Sequence, residues 1–220
     1  MSTGAGTIPP PSATKAKEDG EPAFPRRNAD GSVAPRFGAA GRGRPTGWWH
    51  NAGMTDASTA EPTNPERMEV QRTIPADPTR IFNLLRDPKG HVMIDSSGML
   101  LDSTGEPATK VGDEFVIHMD REALNDYPMG RYDVTVTITT FEPDREIAWT
   151  ILGQIKPQIG HVYGYTLERA ENGTLVTSYY DWSNIDPQWK EANIFPVIPE
   201  SALRATLGIL ERTLAHSTQW

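Results

Sequence analysis

The sequence predicts an α+β fold: a curved antiparallel sheet of about seven strands wrapped around a long C-terminal helix, with two short helices after strand 1. Three observations carry this. From Met68 onward, runs with an apolar/polar period of two follow one another, separated by turn residues. Between those later runs nothing is long enough to be a crossover helix, which a parallel sheet requires. At the C-terminus Leu203, Leu207, Leu210 and Leu214 fall on one helical stripe.

Met68–Ile74 alternates as a half-buried strand and Pro75 ends it. Asp77 followed by Pro78 is an N-cap with proline at the first helical position, and Ile81, Phe82, Leu84 and Leu85 supply an apolar face. Asp87-Pro88 stops that helix, and a short helix or turn covers Lys89–Ile94. Met99–Leu101 is the next strand, ended by a Ser103-Thr104-Gly105 turn; Glu114–Met119, Tyr132–Phe141 and Ile147–Leu152 follow. His161–Leu167 and Leu175–Trp182 are joined through Glu171-Asn172-Gly173, with Asn-Gly as the hairpin signal. The stretch Ser183–Pro199 reads as loop before the last helix.

Composition divides the 220 residues in two. Residues 1–65 hold 9 of 19 Pro and 9 of 19 Gly, with few large aliphatic side chains, so they cannot bury enough apolar surface to offset chain entropy. They are expected to be a disordered N-terminal extension, and Met54 is an alternative start. Gly41-Arg42-Gly43-Arg44-Pro45 resembles an AT-hook core, but its flanks lack the Lys/Arg that bind phosphate. Trp48-Trp49-His50 is either an interaction motif or incidental. Residues 66–220 are expected to form a single ligand-binding domain, with 14 Lys/Arg against 23 Asp/Glu. An acidic domain is a poor partner for nucleic acid or anionic lipid.

The chain has no cysteine, which excludes disulfides, thiolate nucleophiles and Cys-ligated zinc. His91, His118, His161 and His216 lack metal-ligand spacing, so no metal or cofactor is expected. No apolar run reaches membrane-spanning length and no signal-peptide core opens the chain. The expectation is a cytoplasmic protein without stable membrane insertion, as a monomer or weak homodimer.

A long helix closing over a curved sheet leaves space between them, and strand parity says which side chains face it. One set comprises Phe115, Ile117 and Met119, then Tyr132, Val134, Val136 and Ile138, with Ile147, Trp149 and Ile151. The other comprises His161, Tyr163, Tyr165 and Leu167, then Val176, Ser178, Tyr180 and Trp182, with Leu203 and Leu207 from the helix. Each aromatic taken singly is equally an ordinary core residue; collectively their polar tips need partners or a ligand. His91, Asp95 and Trp189 are placed at the pocket mouth, with Asp120–Gly130 and Ser183–Pro199 as the rim. His91 is either a ligand contact or base beside Asp95, or a helix cap bonded to a backbone carbonyl. His118 shares the parity of Glu114 and Asp120 and is assigned to the solvent side. His161 and Asp181 lie on adjacent strands with parities that disagree unless a bulge intervenes.

Several segments carry a family resemblance: Asp87-Pro88-Lys89-Gly90-His91 with Ile94-Asp95-Ser96-Ser97-Gly98, Val111-Gly112-Asp113-Glu114-Phe115, Phe141-Glu142-Pro143-Asp144-Arg145 with Ile147-Ala148-Trp149, and Gly173-Thr174-Leu175-Val176-Thr177 with Asp181-Trp182-Ser183. With the element order they resemble the SRPBCC (START/Bet v 1-like) superfamily over residues 66–216, and within it a bacterial polyketide cyclase/dehydrase and lipid-transport-like branch. The resemblance implies the helix-grip fold and a central cavity for a hydrophobic or aromatic small molecule, lipid- or polyketide-like. The protein would act as a carrier, sensor or sequestering protein. An alternative is an aromatic polyketide cyclase/dehydratase using His161, Tyr163 and Asp95 for proton transfer. A third is a protein-interaction role, as in chaperone co-activators. Fold-level likeness locates a site and leaves its chemistry open.

Overall fold

A computed structural model describes residues 66–122, 129–217 and 220. The expectations for residues 1–65, and the middle of the Asp120–Gly130 connection, lie outside the described residues.

Asp77 acts as the N-cap the sequence predicts, and Asp87, read there as the stop of the first helix, also caps the second. Each sits in extended backbone, accepts a hydrogen bond from the backbone two residues on, and is followed by proline. They start α1 (Pro78–Leu85) and α2 (Pro88–Met93), which follow β1 (Arg67–Ile74). Five strands come next: β2 (Leu100–Thr104), β3 (Glu114–Asp120), β4 (Arg131–Glu142), β5 (Glu146–Leu152) and β6 (Val162–Ala170). After β7 (Gly173–Asp181), a short helix α3 (Pro187–Glu191) leads to the long α4 (Glu200–His216).

All seven strands form one antiparallel sheet in the order β1-β7-β6-β5-β4-β3-β2. The α1–α2 pair carries the chain from one edge to the other. Register shifts at Leu100/Asp102 and at Ile138/Thr140 add a residue to β2 and to β4. The second keeps Phe141 inward beyond Ile138, so Phe141 meets Phe82 of α1 edge-on with centroids 5.1 Å apart. Such bulges bend the sheet as a helix-grip fold needs.

The helix stripe buries as the sequence predicts, with Leu203, Leu207, Leu210 and Leu214 inside. α4 packs against β1, β7 and α2. Polar ties hold both ends of it. Arg80 of α1 donates to the carbonyls of Leu214 (3.0 Å) and Ser217 (2.8 Å). Ser96 Oγ donates to Ala202 O at 3.1 Å and accepts from Thr206 Oγ1 at 3.0 Å. Arg72 of β1 pairs with Glu211.

Three local expectations change. β2 runs through Thr104, because Ser103 and Thr104 pair with Ile117 and Val116 instead of turning. The β6–β7 loop is Glu171-Asn172, one position earlier than an Asn-Gly centre, since Gly173 already pairs with Ala170. At Gly173 φ is 133° and a Cβ would collide with the Ile74 carbonyl, so glycine serves close backbone approach. Ser183–Pro199 is not all loop: Asp186-Pro187 caps α3 as the other Asp-Pro pairs cap theirs.

Candidate functional site: the aromatic inner face of the sheet

Antiparallel register lines up one lateral row across the inner face: Met68, Tyr180, Tyr163, Trp149 and Ile138 lie on successive strands. Phe115, Ile117, Val134, Val136, Trp149, Tyr165, Tyr180, Trp182, Leu203 and Leu207 are buried in one apolar cluster. Met119, Tyr132 and Tyr163 are partly buried against it. The structure therefore gathers the inward-facing side chains on one surface.

Two histidines enter that surface. His161 stands just before β6, and its carbonyl accepts from Thr150 Oγ1 at 2.9 Å. Its Nδ1 lies 3.0 Å from the Tyr180 hydroxyl. Its ring meets Tyr163 and Tyr180 edge-on, with centroids 5.2 and 5.5 Å apart, and Phe195 at 6.0 Å. Tyr163 and Tyr180 stack at 4.6 Å, and Trp182 stacks with Phe195 at 6.2 Å. Burial lowers the His161 pKa to about 4, so the imidazole is neutral near pH 7.

His91 is deeper and structurally committed. Its Nε2–H donates to the Leu85 carbonyl at 2.8 Å, and the ring packs on Trp149 (4.4 Å) and Phe115 (4.9 Å). Burial takes its pKa down to about 4, partly opposed by that carbonyl. Of the two roles weighed for His91, this geometry is the backbone-bonded one.

Burial also raises the tyrosine hydroxyls. Tyr165 is pushed up to about 12, and Tyr163 and Tyr180 go well above the usual phenol range. Tyr163 keeps partial surface exposure, yet protein surrounds its hydroxyl closely enough for desolvation to dominate. Its oxygen interacts with that of Tyr180, and Arg121 acts on it from farther away.

Of the grouping His161, Tyr163 and Asp95, the first two lie side by side, and among the described residues no hydrogen bond joins Asp95 to either. The Asp95 carboxylate accepts from Ser97 N (2.8 Å), Ser97 Oγ (2.6 Å) and Leu100 N (3.0 Å), organising the turn into β2. Nor does His161 pair with Asp181, which binds Arg67 at 3.3 Å and Ser183. Trp189 is inside, not on an open lip: it is 2% exposed and its Nε1 donates to Pro157 O at 3.0 Å.

A hydrogen-bonded chain that sequence reasoning missed lies on the outer face. Thr104 Oγ1, His118 Nε2, His118 Nδ1 and Asp133 Oδ1 connect through two contacts of 2.8 Å. The order matches a nucleophilic triad, but the Asp133 side chain is 66% exposed, on the side away from the helices. A solvated carboxylate of this kind orients a histidine weakly. Among the described residues no group of three His, Cys, Asp or Glu is placed to hold a metal ion, and no helix is long and apolar enough to cross a membrane.

No protein-family model matches the sequence, and neither does any curated protein. Solved structures do resemble the fold. A crystal structure from Rhodobacter sphaeroides is 16% identical, covering 70% of this chain and 95% of that one, with a TM-score of 0.50. The Aha1 dimer of Colwellia psychrerythraea is 20% identical over 69% of this chain and 98% of its own, at 0.45. The AHSA1-like protein of Aeromonas hydrophila is 16% identical over 70% and 99%, at 0.46. The likeness is one of fold alone.

Proposed function

We propose that the protein binds an apolar or aromatic small molecule, lipid- or polyketide-like, between the inner face of the sheet and α4, as a carrier, sensor or sequestering protein. One observation carries this reading: Tyr163, only partly buried, stacks on Tyr180 at 4.6 Å beside His161 within the aromatic inner face. An aromatic wall with a few polar tips suits an apolar ligand. His161, Tyr163 and Tyr180 would orient the ligand, with Trp149, Tyr132 and Met119 as wall.

The cyclase/dehydratase alternative draws on the same His161 and Tyr163. It is less well supported, because an imidazole with a pKa of about 4 is a weak base and, among the described residues, no carboxylate is hydrogen-bonded to it. Native mass spectrometry of freshly purified protein tests the binding reading, together with melting curves in the presence of decanol, a sterol and 1-naphthol. A one-to-one adduct or a raised melting temperature is expected; an unliganded mass with no shift from any compound would refute it.

A further inference from the structure

The polar atoms around His161 allow the ligand to be narrowed. His161 is 6% exposed, and its Nδ1 is taken by the Tyr180 hydroxyl at 3.0 Å. Among the described residues, Nε2 has no hydrogen-bond partner. The His161 ring lies edge-on beside Tyr163, with centroids 5.2 Å apart.

The protons in this group can be counted. Tyr180 has one hydrogen to give; its oxygen also meets Tyr163 and the Val197 backbone. If Tyr180 donates to His161 Nδ1, then Nε2 carries the imidazole hydrogen. Tyr163 is then free to donate to Tyr180 and keeps an acceptor oxygen. If instead Nδ1–H donates to Tyr180, the Tyr180 hydrogen turns to Tyr163. Nε2 is then an acceptor and the Tyr163 hydroxyl a donor. In both arrangements the two outward atoms offer one donor and one acceptor. The tautomer only exchanges which is which.

We infer that the His161–Tyr163 pair, relayed through Tyr180, recognises a hydroxyl group on the apolar ligand. A hydroxyl both gives and takes a hydrogen bond, so it satisfies either tautomer. An ether accepts only. A carboxylate offers acceptors alone and brings a charge that a neutral imidazole does not balance. Arg121 is the cation acting on the Tyr163 hydroxyl, and its Nη1 also faces Met99 Sδ at 3.7 Å. A carboxylate held through Arg121 is thus the competing outcome.

The inference rests on the binding reading above, and matched probes separate the two. Affinities would be measured by calorimetry for 1-naphthol, 1-methoxynaphthalene and 1-naphthoate, and for 1-decanol, decyl methyl ether and decanoate. The hydroxyl compound is expected to bind about tenfold more tightly than its ether or carboxylate, since a polar group left unpaired in the recess is what separates them. His161→Phe should remove the preference for the hydroxyl, so that the variant binds the hydroxyl compound and its ether alike. Tyr163→Phe is the second variant, and melting curves confirm that each is folded. Equal affinity for ether or carboxylate, or a preference that survives both substitutions, overturns hydroxyl recognition and leaves the binding reading standing. Failure of all six compounds to bind overturns the binding reading itself.

Discussion

Tyr179 of β7 lies across Gly164 of β6 on the outer face of the sheet, where a Cβ on the glycine would collide with the phenol end of the tyrosine. Arg67 lies over that ring at 3.9 Å from its centroid, and the Tyr179 hydroxyl donates to Glu146 at 2.8 Å. The tyrosine is therefore held between three strands and has no easy way to yield. Gly164→Ala should cost about 1–3 kcal/mol of stability, as overpacking does. In a Tyr179→Ala background the same change should cost much less. Urea unfolding of the four proteins in the cycle measures this, and additive effects would refute the steric account.

His91 and His161 should make the fold acid-sensitive. Both have pKa values lowered to about 4 from 6.5, so the unfolded chain binds more protons than the native one between those values. Their contribution is fully present above pH 6.5 and is lost as the pH falls towards 4. Each is worth a few kcal/mol, on the order of 3, by the usual linkage of about 1.4 kcal/mol per unit. Stability measured at half-unit steps should fall steeply across that window. His161→Phe should flatten the slope by about half, because one of two similar proton sites is removed.

The Ser183–Pro199 segment should behave as a pinned flap. Trp189 fastens it to Pro157, and the Asp186 backbone N–H adds a bond to Ile159 O at 3.1 Å. Trp189→Phe removes the indole donor and leaves the Pro157 carbonyl wanting, at a cost of about 1–2 kcal/mol. Stopped-flow fluorescence with 1-naphthol should then show faster association and dissociation. Unchanged rates would detach this segment from ligand entry.

The outer Thr104–His118–Asp133 chain should be dispensable. His118→Ala removes an exposed cross-strand contact worth at most about 1 kcal/mol. Ligand affinity should be unchanged, and wild-type protein should not hydrolyse p-nitrophenyl acetate faster than the variant. A difference in hydrolysis would give this chain a catalytic role.

Much of the architecture was legible because it is written locally. Alternation in β4, the Asp77-Pro78 start of α1, its Asp87-Pro88 stop, and the leucine stripe of α4 are each short-range patterns. α3 carried the same signal in Asp186-Pro187 and was hidden by the prolines around it. β2 was cut short because Ser103 and Thr104 look like turn residues; pairing with β3 outweighs that preference. The site was legible only as a set of inward-facing positions. That His161 bonds Tyr180 instead of Asp181, or that Asp95 spends its carboxylate on Ser97 and Leu100, depends on register and turn geometry that no single strand encodes. The Gly164–Tyr179 contact needs two strands in register and has no signature in either alone.

The most direct trial is a crystal structure of the protein soaked with a brominated naphthol, read by the anomalous signal of bromine. The account predicts one ordered peak between the sheet and α4, with the phenol oxygen within hydrogen-bonding distance of His161 Nε2 and Tyr163. An interior closed by side chains around Tyr163, with bromine only at the surface, would contradict it.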